Sequence, residues 1–356
     1  MRKVIVAGTP EMAEALKTLH PEADEVVVGR ASPEAVRGAY VYGSLPPDLA
    51  AEAVAVESPN FRFGPEDRGK TLSAEDLLAR YSGSAVVVSF TEAQLAQSQE
   101  LRSQGGIYES LARAYEEAKE GADLVLTRHA GLVEYLQRHG VVGEEVQVLE
   151  HASPGDVRGK VVAGIVPPHL AQEALAVINP PPVNVPRGQE LSADEMEAQL
   201  RERGVEPPGT TVAVVRSLEA LAQDLARTPV LEGDAPLVRK VEGLKELVTV
   251  EVDREALGEA RAAWAGELER LKADGHNGFP FPAYQEVDAL LEKWDREGRA
   301  SLAEFQAFRQ ALDRYPLEAL SDGANSWAAR VPDEALRLEE RLREVLAPEK
   351  KEVELG

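Results

Sequence analysis

The chain has no cysteine, so neither a disulfide nor a thiolate metal site is open to it. Aromatic residues make up only 5% of it, and there are just 3 methionines. No apolar run approaches the roughly 18 residues that suggest a membrane span. Positive charge is also short: 39 Lys and Arg stand against 62 Asp and Glu, a formal net charge of −23. That balance weighs against a long DNA or RNA partner, whose phosphates are tracked by basic surfaces. It leaves room for a small anion held by a few cations and backbone N–H groups. P-loop, GxGxxG and HExxH patterns are missing, and no metal site and no cofactor are expected. The apolar stretch Val4–Ala7 is too short for a secretory signal, and Glu11 comes soon after it, so the expected location is the cytoplasm.

What the chain does have is a sentence said twice. Ala31–Val56 reads ASPEAVRGAYVYGSLPPDLAAEAVAV and Ala152–Val177 reads ASPGDVRGKVVAGIVPPHLAQEALAV, without a gap, at an offset of 121 residues and with 16 of 26 positions identical. The match resumes with Arg68-Gly69-Lys70-Thr71-Leu72-Ser73-Ala74-Glu75 against Arg187-Gly188-Gln189-Glu190-Leu191-Ser192-Ala193-Asp194. This period is too long for a solenoid and fits a small domain. Two copies in one chain make a covalent pseudo-dimer, and a groove between them would suit a two-fold symmetric ligand. The divisions read from the sequence are copy one over 1–104, a helical connector over 105–120, copy two over 121–230 and a mainly helical part over 237–347.

Each copy alternates strand and helix. In copy one, Val4–Gly8, Glu25–Gly29, Ala39–Gly43 and Ala85–Phe90 are Val-rich strands. Helices follow from Pro10, from the Ser44-Leu45-Pro46-Pro47 turn through about Val56, over Ser73–Tyr81 and over Thr91–Ser103. Copy two repeats the scheme, with strands Asp123–Thr127, Glu145–Leu149, Lys160–Gly164 and Thr211–Arg216. Its helices are Ala130–Arg138, Pro167–Ala176, Ser192–Arg203 and Leu218–Arg227. This pattern predicts α/β architecture: two tandem Rossmann-like domains with parallel sheets, followed by helices. Ligands of such folds sit beyond the carboxyl ends of the strands. The candidate ligand-binding residues are therefore Gly8, Thr9, Gly43, Ser44 and Ser89 in copy one, and Thr127, Gly164, Ile165, His169 and Arg216 in copy two. Arg68, Lys70 and Arg187 are candidate phosphate partners. Arg128-His129 supplies a cation and an acid/base side by side, the natural catalytic pair, where copy one has Gly8-Thr9. The carboxyl ends of both copies are expected to face one shared pocket.

The C-terminal part holds all three tryptophans, Trp264, Trp294 and Trp327. Arg270–His276 carries the Arg/His spacing of a helical ribonuclease motif, but the surrounding Asp-Gly and Asn-Gly pairs mark a helix end. Asp295–Phe305 echoes a calcium loop, yet Lys293 stands where its first carboxylate belongs.

The strings Gly43–Val56 and Arg68–Asp76, with Arg128–Gly131, Gly164–Val177 and Arg187–Glu195, resemble a small CRISPR-associated, CARF-related family of type III systems. Its members are similar to one copy, with an Arg-His-Pro-Gly-like strand end, a Gly-Thr-Leu-Pro turn and Arg-Gly-x-Glu-Leu-Ser-Ala-Glu. The resemblance covers roughly Met1–Arg227. It implies a Rossmann-like domain that binds cyclic oligoadenylate, and ring-nuclease activity that linearises this messenger without a metal. Copy one departs by lacking Arg-His, and copy two by carrying Ile165 in place of a small or hydroxyl residue. Two other readings stand beside ring cleavage: a non-catalytic cyclic-oligoadenylate sensor or sponge whose helical part relays or interacts, and an unrelated nucleotide or sugar-phosphate enzyme. The partner expected is cyclic tetra-adenylate, with an intramolecular pseudo-dimer open to further self-association.

Overall fold

The structure is a computed structural model that describes residues 1–64, 67, 70–184, 190–273, 281–321 and 330–347, without the side chains of 47, 48, 320 and 321. Arg68, Arg187, His276, Trp327 and the charged tail from residue 348 lie outside the described residues. The chain divides into two compact units. The first comprises Met1–Leu221 with Gly233–Lys240, the second Ala222–Glu232 with Val241–Gly356.

The first unit is an α/β fold of Rossmann-like type. Copy one supplies strands β1 (Lys3–Ala7), β2 (Glu25–Val28), β3 (Tyr40–Gly43), β4 (Ala55–Phe61) and β5 (Tyr81–Thr91). Copy two supplies β6 (Ala122–Leu126), β7 (Val142–Leu149), β8 (Val161–Gly164), β9 (Ala176–Asn179) and β10 (Thr211–Ser217). All ten join in a single, mostly parallel sheet ordered β2-β1-β3-β4-β5-β10-β9-β8-β6-β7. Within each copy the first four strands run parallel, while β5 is antiparallel to β4 and β10 to β9. The halves meet where β5 pairs antiparallel with β10.

The fourth strand of each copy is a finding beyond the sequence pattern. The helices that open at the Pro-Pro turns end early, at Glu52 and Ala171, and the chain re-enters the sheet as β4 and β9. Ala53-Val54-Ala55-Val56 is apolar on every side because the strand is covered on both faces, and periodicity cannot separate such a run from a buried helix. The equivalent positions Val36 and Val157, Val41 and Val162, and Val56 and Val177 are buried in matching core clusters.

Symmetry follows from the register. Ser89 pairs with Val215, Val88 with Arg216, and Phe90 with Val214. A pseudo-two-fold through the Ser89–Val215 pair, normal to the sheet, thus places Phe90 where the other copy has Arg216. In copy two, Arg216 donates to the carbonyl oxygens of Ala174 (2.7 Å), Leu175 (2.6 Å) and Val215 (2.8 Å). In copy one a residue from far along the chain supplies the cation. Lys240 Nζ donates to the carbonyls of Ala51 (2.7 Å), Ala53 (2.6 Å) and Ser89 (2.7 Å), with Nζ 5.3 Å from the Phe90 ring centroid. Its three acceptors use all three ammonium protons, against burial that pulls its pKa down to about 7.

The second unit is helical, built on Arg254–Ala273, Pro282–Glu297, Leu302–Ser321 and Asp333–Leu346, with a short antiparallel pair Thr249–Glu251 and Arg299–Ser301. Trp264 stacks on Tyr284 at 4.9 Å, and Trp294 packs against Phe308. Glu304 of the calcium-loop echo is an internal acceptor, taking bonds from Trp294 Nε1 (2.9 Å) and the Ser301 N–H (3.0 Å) and pairing with Lys293.

Replacing Lys240 by Met takes a charged donor from three carbonyls. At about 1 kcal/mol for each lost bond, unfolding free energy in urea should drop by about 3 kcal/mol. An unchanged midpoint would show that the ammonium is not a structural pin.

Candidate functional site: an Arg–His cleft in the second copy

Because β4 is antiparallel to β5, β5 to β10 and β10 to β9, β1, β3 and β4 run opposite to β6, β8 and β9. Their carboxyl ends open at opposite edges of the sheet. This corrects the expected shared pocket: each copy faces its own way.

In copy two, the edge opens into a cleft of about 550 Å³ lined by Thr127, Arg128, His129, His151, Ile165 and His169, among others. Arg128 and His129 follow β6 directly and precede the helix Ala130–Arg138. The His129 N–H donates to Thr127 Oγ1 at 3.1 Å, while its ring makes no capping bond and stays exposed. Arg128 Nη2 lies 3.3 Å from Nε2 and 3.5 Å from Nδ1 of His151. Near-equal distances to both ring nitrogens mean that the guanidinium rests against the imidazole rather than bonding one atom. Among the described residues no carboxylate pairs with Arg128, so its charge is available to an anion. Glu150 also lines the cleft. Ile165, 83% exposed, stands at its mouth.

Glycines hold this edge together. Gly43 and Gly164 have φ of +136° and +134°, and a Cβ on either would stand 2.0 Å from the Val6 carbonyl oxygen or 2.2 Å from that of Leu126. They serve close strand packing, which accounts for their retention in both copies. The pairing of Gly43 with Val6 and of Gly164 with Leu126 also aligns Gly8-Thr9 with Arg128-His129. Gly131 lets Leu191 cross the start of the helix Ala130–Arg138, since a Cβ there would meet the Leu191 oxygen at 1.9 Å.

Copy one divides the same crevice into two hollows. One, about 470 Å³, is lined by Arg30, Ala31, Ser44, Leu45, Pro46 and Leu49, the duplicates of His151, Ala152, Ile165, Val166, Pro167 and Leu170. The other, about 760 Å³, holds Thr9, Lys70, Asp67 and Phe63. There Thr9 Oγ1 caps its helix by accepting the Met12 N–H. The Arg80 guanidinium grips Asp67 at 2.7 and 3.0 Å and holds its carboxyl below the usual carboxylate range.

The structure brings Thr127, Arg128, His129, Ile165 and His169 together in copy two. It parts Thr9 and Lys70 from Ser44 in copy one. Ser89 is buried mid-sheet beside the pseudo-dyad, and Arg216 is engaged with carbonyls. Both belong to strands that run antiparallel to their neighbours, away from the crevice. His151 and Arg30 escaped the sequence reading, although each immediately precedes the repeated Ala-Ser-Pro. That position is cationic or titratable in both copies.

Among the described residues no group of three or more His, Asp or Glu is placed to hold a metal ion, and no helix is long and apolar enough to cross a membrane. Residues 124–203, which include all of the described cleft lining, match the family model described as "Putative CRISPR-associated protein (Cas_VVA1548)". The match supports a CRISPR-associated protein. No curated protein and no solved structure matches the chain.

Gly131→Ala should lower unfolding free energy by about 2 kcal/mol or more, the range for a steric clash in a packed core. Gly8→Ala, whose Cβ meets nothing within 4 Å, should stay within about 0.5 kcal/mol. Equal midpoints for the two variants in chemical denaturation would contradict the packing described.

Proposed function

We propose that the cleft of copy two binds a phosphodiester of cyclic oligoadenylate, cyclic tetra-adenylate being the ring of choice, and opens it by attack of a ribose 2′-hydroxyl. The observation that carries this reading is the meeting of Arg128, His129, His151 and His169 at one opening, inside the stretch that matches a CRISPR-associated family. The opening belongs to copy two alone, so the ring is assigned to it and not to a groove between the copies.

The chemistry asked of these residues is modest. His129 takes the proton of the 2′-hydroxyl as its oxygen bonds to phosphorus. The bond from phosphorus to the 5′-oxygen breaks, and a protonated imidazole, assigned to His169 because His151 lies against the Arg128 guanidinium, gives that oxygen a proton. The products are a 2′,3′-cyclic phosphate and a 5′-hydroxyl, so atoms balance. Arg128 neutralises the non-bridging oxygens, whose charge grows toward the phosphorane, and its guanidinium, which pairs with no carboxylate among the described residues, is ready for that. Fixing the attacking oxygen in line supplies much of the remainder. Destroying the messenger would switch off the type III CRISPR response. A second reading, a sensor or sponge that binds without cleaving, draws on copy one, where Gly8-Thr9 replaces the pair and Thr9 is spent on a helix cap.

Labelled cyclic tetra-adenylate incubated with the protein, with and without EDTA, separates these readings. Cleavage should proceed in EDTA. Arg128→Ala combined with His129→Ala should slow the single-turnover rate by roughly 100-fold or more and weaken binding less. A double variant that cleaves at the wild-type rate overturns the assignment. Tight binding with no cleavage selects the sensor or sponge, and no binding sinks both.

A further inference from the structure

We propose that copy one keeps a separate, binding-only phosphate site at Arg30 and Ser44, which takes a nucleotide phosphate of the class that copy two processes. The inference rests on the proposed function for the identity of that class, and on independent geometry for the site. Three observations carry it.

First, Arg30 is the one charged side chain among the described lining of the 470 Å³ hollow, the rest being Ser44, Gly29 and apolar residues such as Ala31, Pro33 and Leu49. A hollow with a cation and no described carboxylate is unusual in a chain of net charge −23. Second, Arg30 is exposed and pairs with no carboxylate among the described residues. Its fork of N–H donors is therefore open to a phosphate, with the Ser44 hydroxyl as a further donor. Third, the duplication places Arg30 and Ser44 where copy two has His151 and Ile165, so this hollow is the counterpart of half the copy-two cleft. The half that carries Arg128-His129 in copy two is a separate hollow in copy one, where Thr9 stands in the place of His129. Copy one thus retains an anion-holding half without the acid/base half. The apolar wall of Leu45, Pro46 and Leu49 suits a base beside that phosphate. Because the two copies open at opposite edges of the sheet, the two sites fill independently.

Calorimetry on the full chain tests this with two probes, cyclic tetra-adenylate and adenosine 5′-monophosphate. The wild type should show two classes of site with the ring. Arg30→Ala should weaken one class by roughly 10- to 100-fold, the scale of losing charged hydrogen bonds, and Arg30→Lys should restore part of it. Arg128→Ala should weaken the other class only. If the ring does not bind but the monophosphate shows an Arg30-dependent site, the inference stands and the ring reading of copy two falls. A single class of site that responds to Arg128→Ala and ignores Arg30→Ala overturns the inference, as does the absence of any Arg30-dependent binding of either probe. Unchanged thermal unfolding of Arg30→Ala is expected, since the side chain makes no described structural contact; a lower midpoint with lost binding would also count against a ligand role.

Discussion

The antiparallel pairing of β5 with β10 is the constraint on which the rest depends. A parallel pairing, or a face-to-face packing of two sheets, could have turned both carboxyl edges toward one cavity. Antiparallel strands related by an axis normal to the sheet cannot do so. The duplication therefore yields two crevices at opposite edges, free to diverge. Copy two has one cleft with Arg128, His129, His151 and His169, whereas copy one holds two hollows and no histidine is among the described residues that line them.

The same axis exposes an asymmetry in how the seam is held. Both copies present carbonyls at the end of a short helix and on the seam strand, and each set attracts a cation, since carbonyls at a helix C-terminus carry partial negative charge. Copy two meets the need within its own strand through Arg216. Copy one has Phe90 at that position and borrows Lys240, more than a hundred residues downstream. The cation that copy one's seam strand lacks comes from Gly233–Lys240, a distant segment of the same unit, which is therefore part of copy one's packing. No local pattern around Phe90 or Lys240 announces this, because the contact joins residues 150 positions apart and its logic appears only through the symmetry.

Much of the architecture was legible. The Val-rich runs and Pro at first helical positions mark elements whose bounds depend on local chemistry, and the structure shows capping boxes at Ser73 and Ser192, where two of the expected helices begin. What escaped was decided by tertiary burial. β4 and β9 begin with buried apolar residues, Ala55-Val56 and Ala176, which read as the ends of helices. The expectation that Ser89 and Arg216 reach the crevice assumed that the last strand of each copy runs parallel to the others. Of the site, the sequence marked Thr127, Arg128, His129, Ile165 and His169, all drawn together by the fold. It passed over His151, which has no motif of its own and gains meaning only by lying against Arg128. The Pro-Pro turns drew attention as ligand contacts, while their glycines answer first to a carbonyl about 2 Å from any added Cβ.

The arrangement of the two crevices can be measured directly, and a chain without native cysteine makes the labelling clean. Ser44→Cys with Ile165→Cys places one spin label at the equivalent turn of each copy, on β3 and β8 ends that are separated by β4, β5, β10 and β9. Five inter-strand steps at about 4.8 Å, plus the strand length between opposite edges, predict a distance of roughly 25–30 Å by pulsed electron spin resonance. A distribution centred below about 15 Å, the reach across a single ligand pocket, would mean that the copies share one site and would contradict the account.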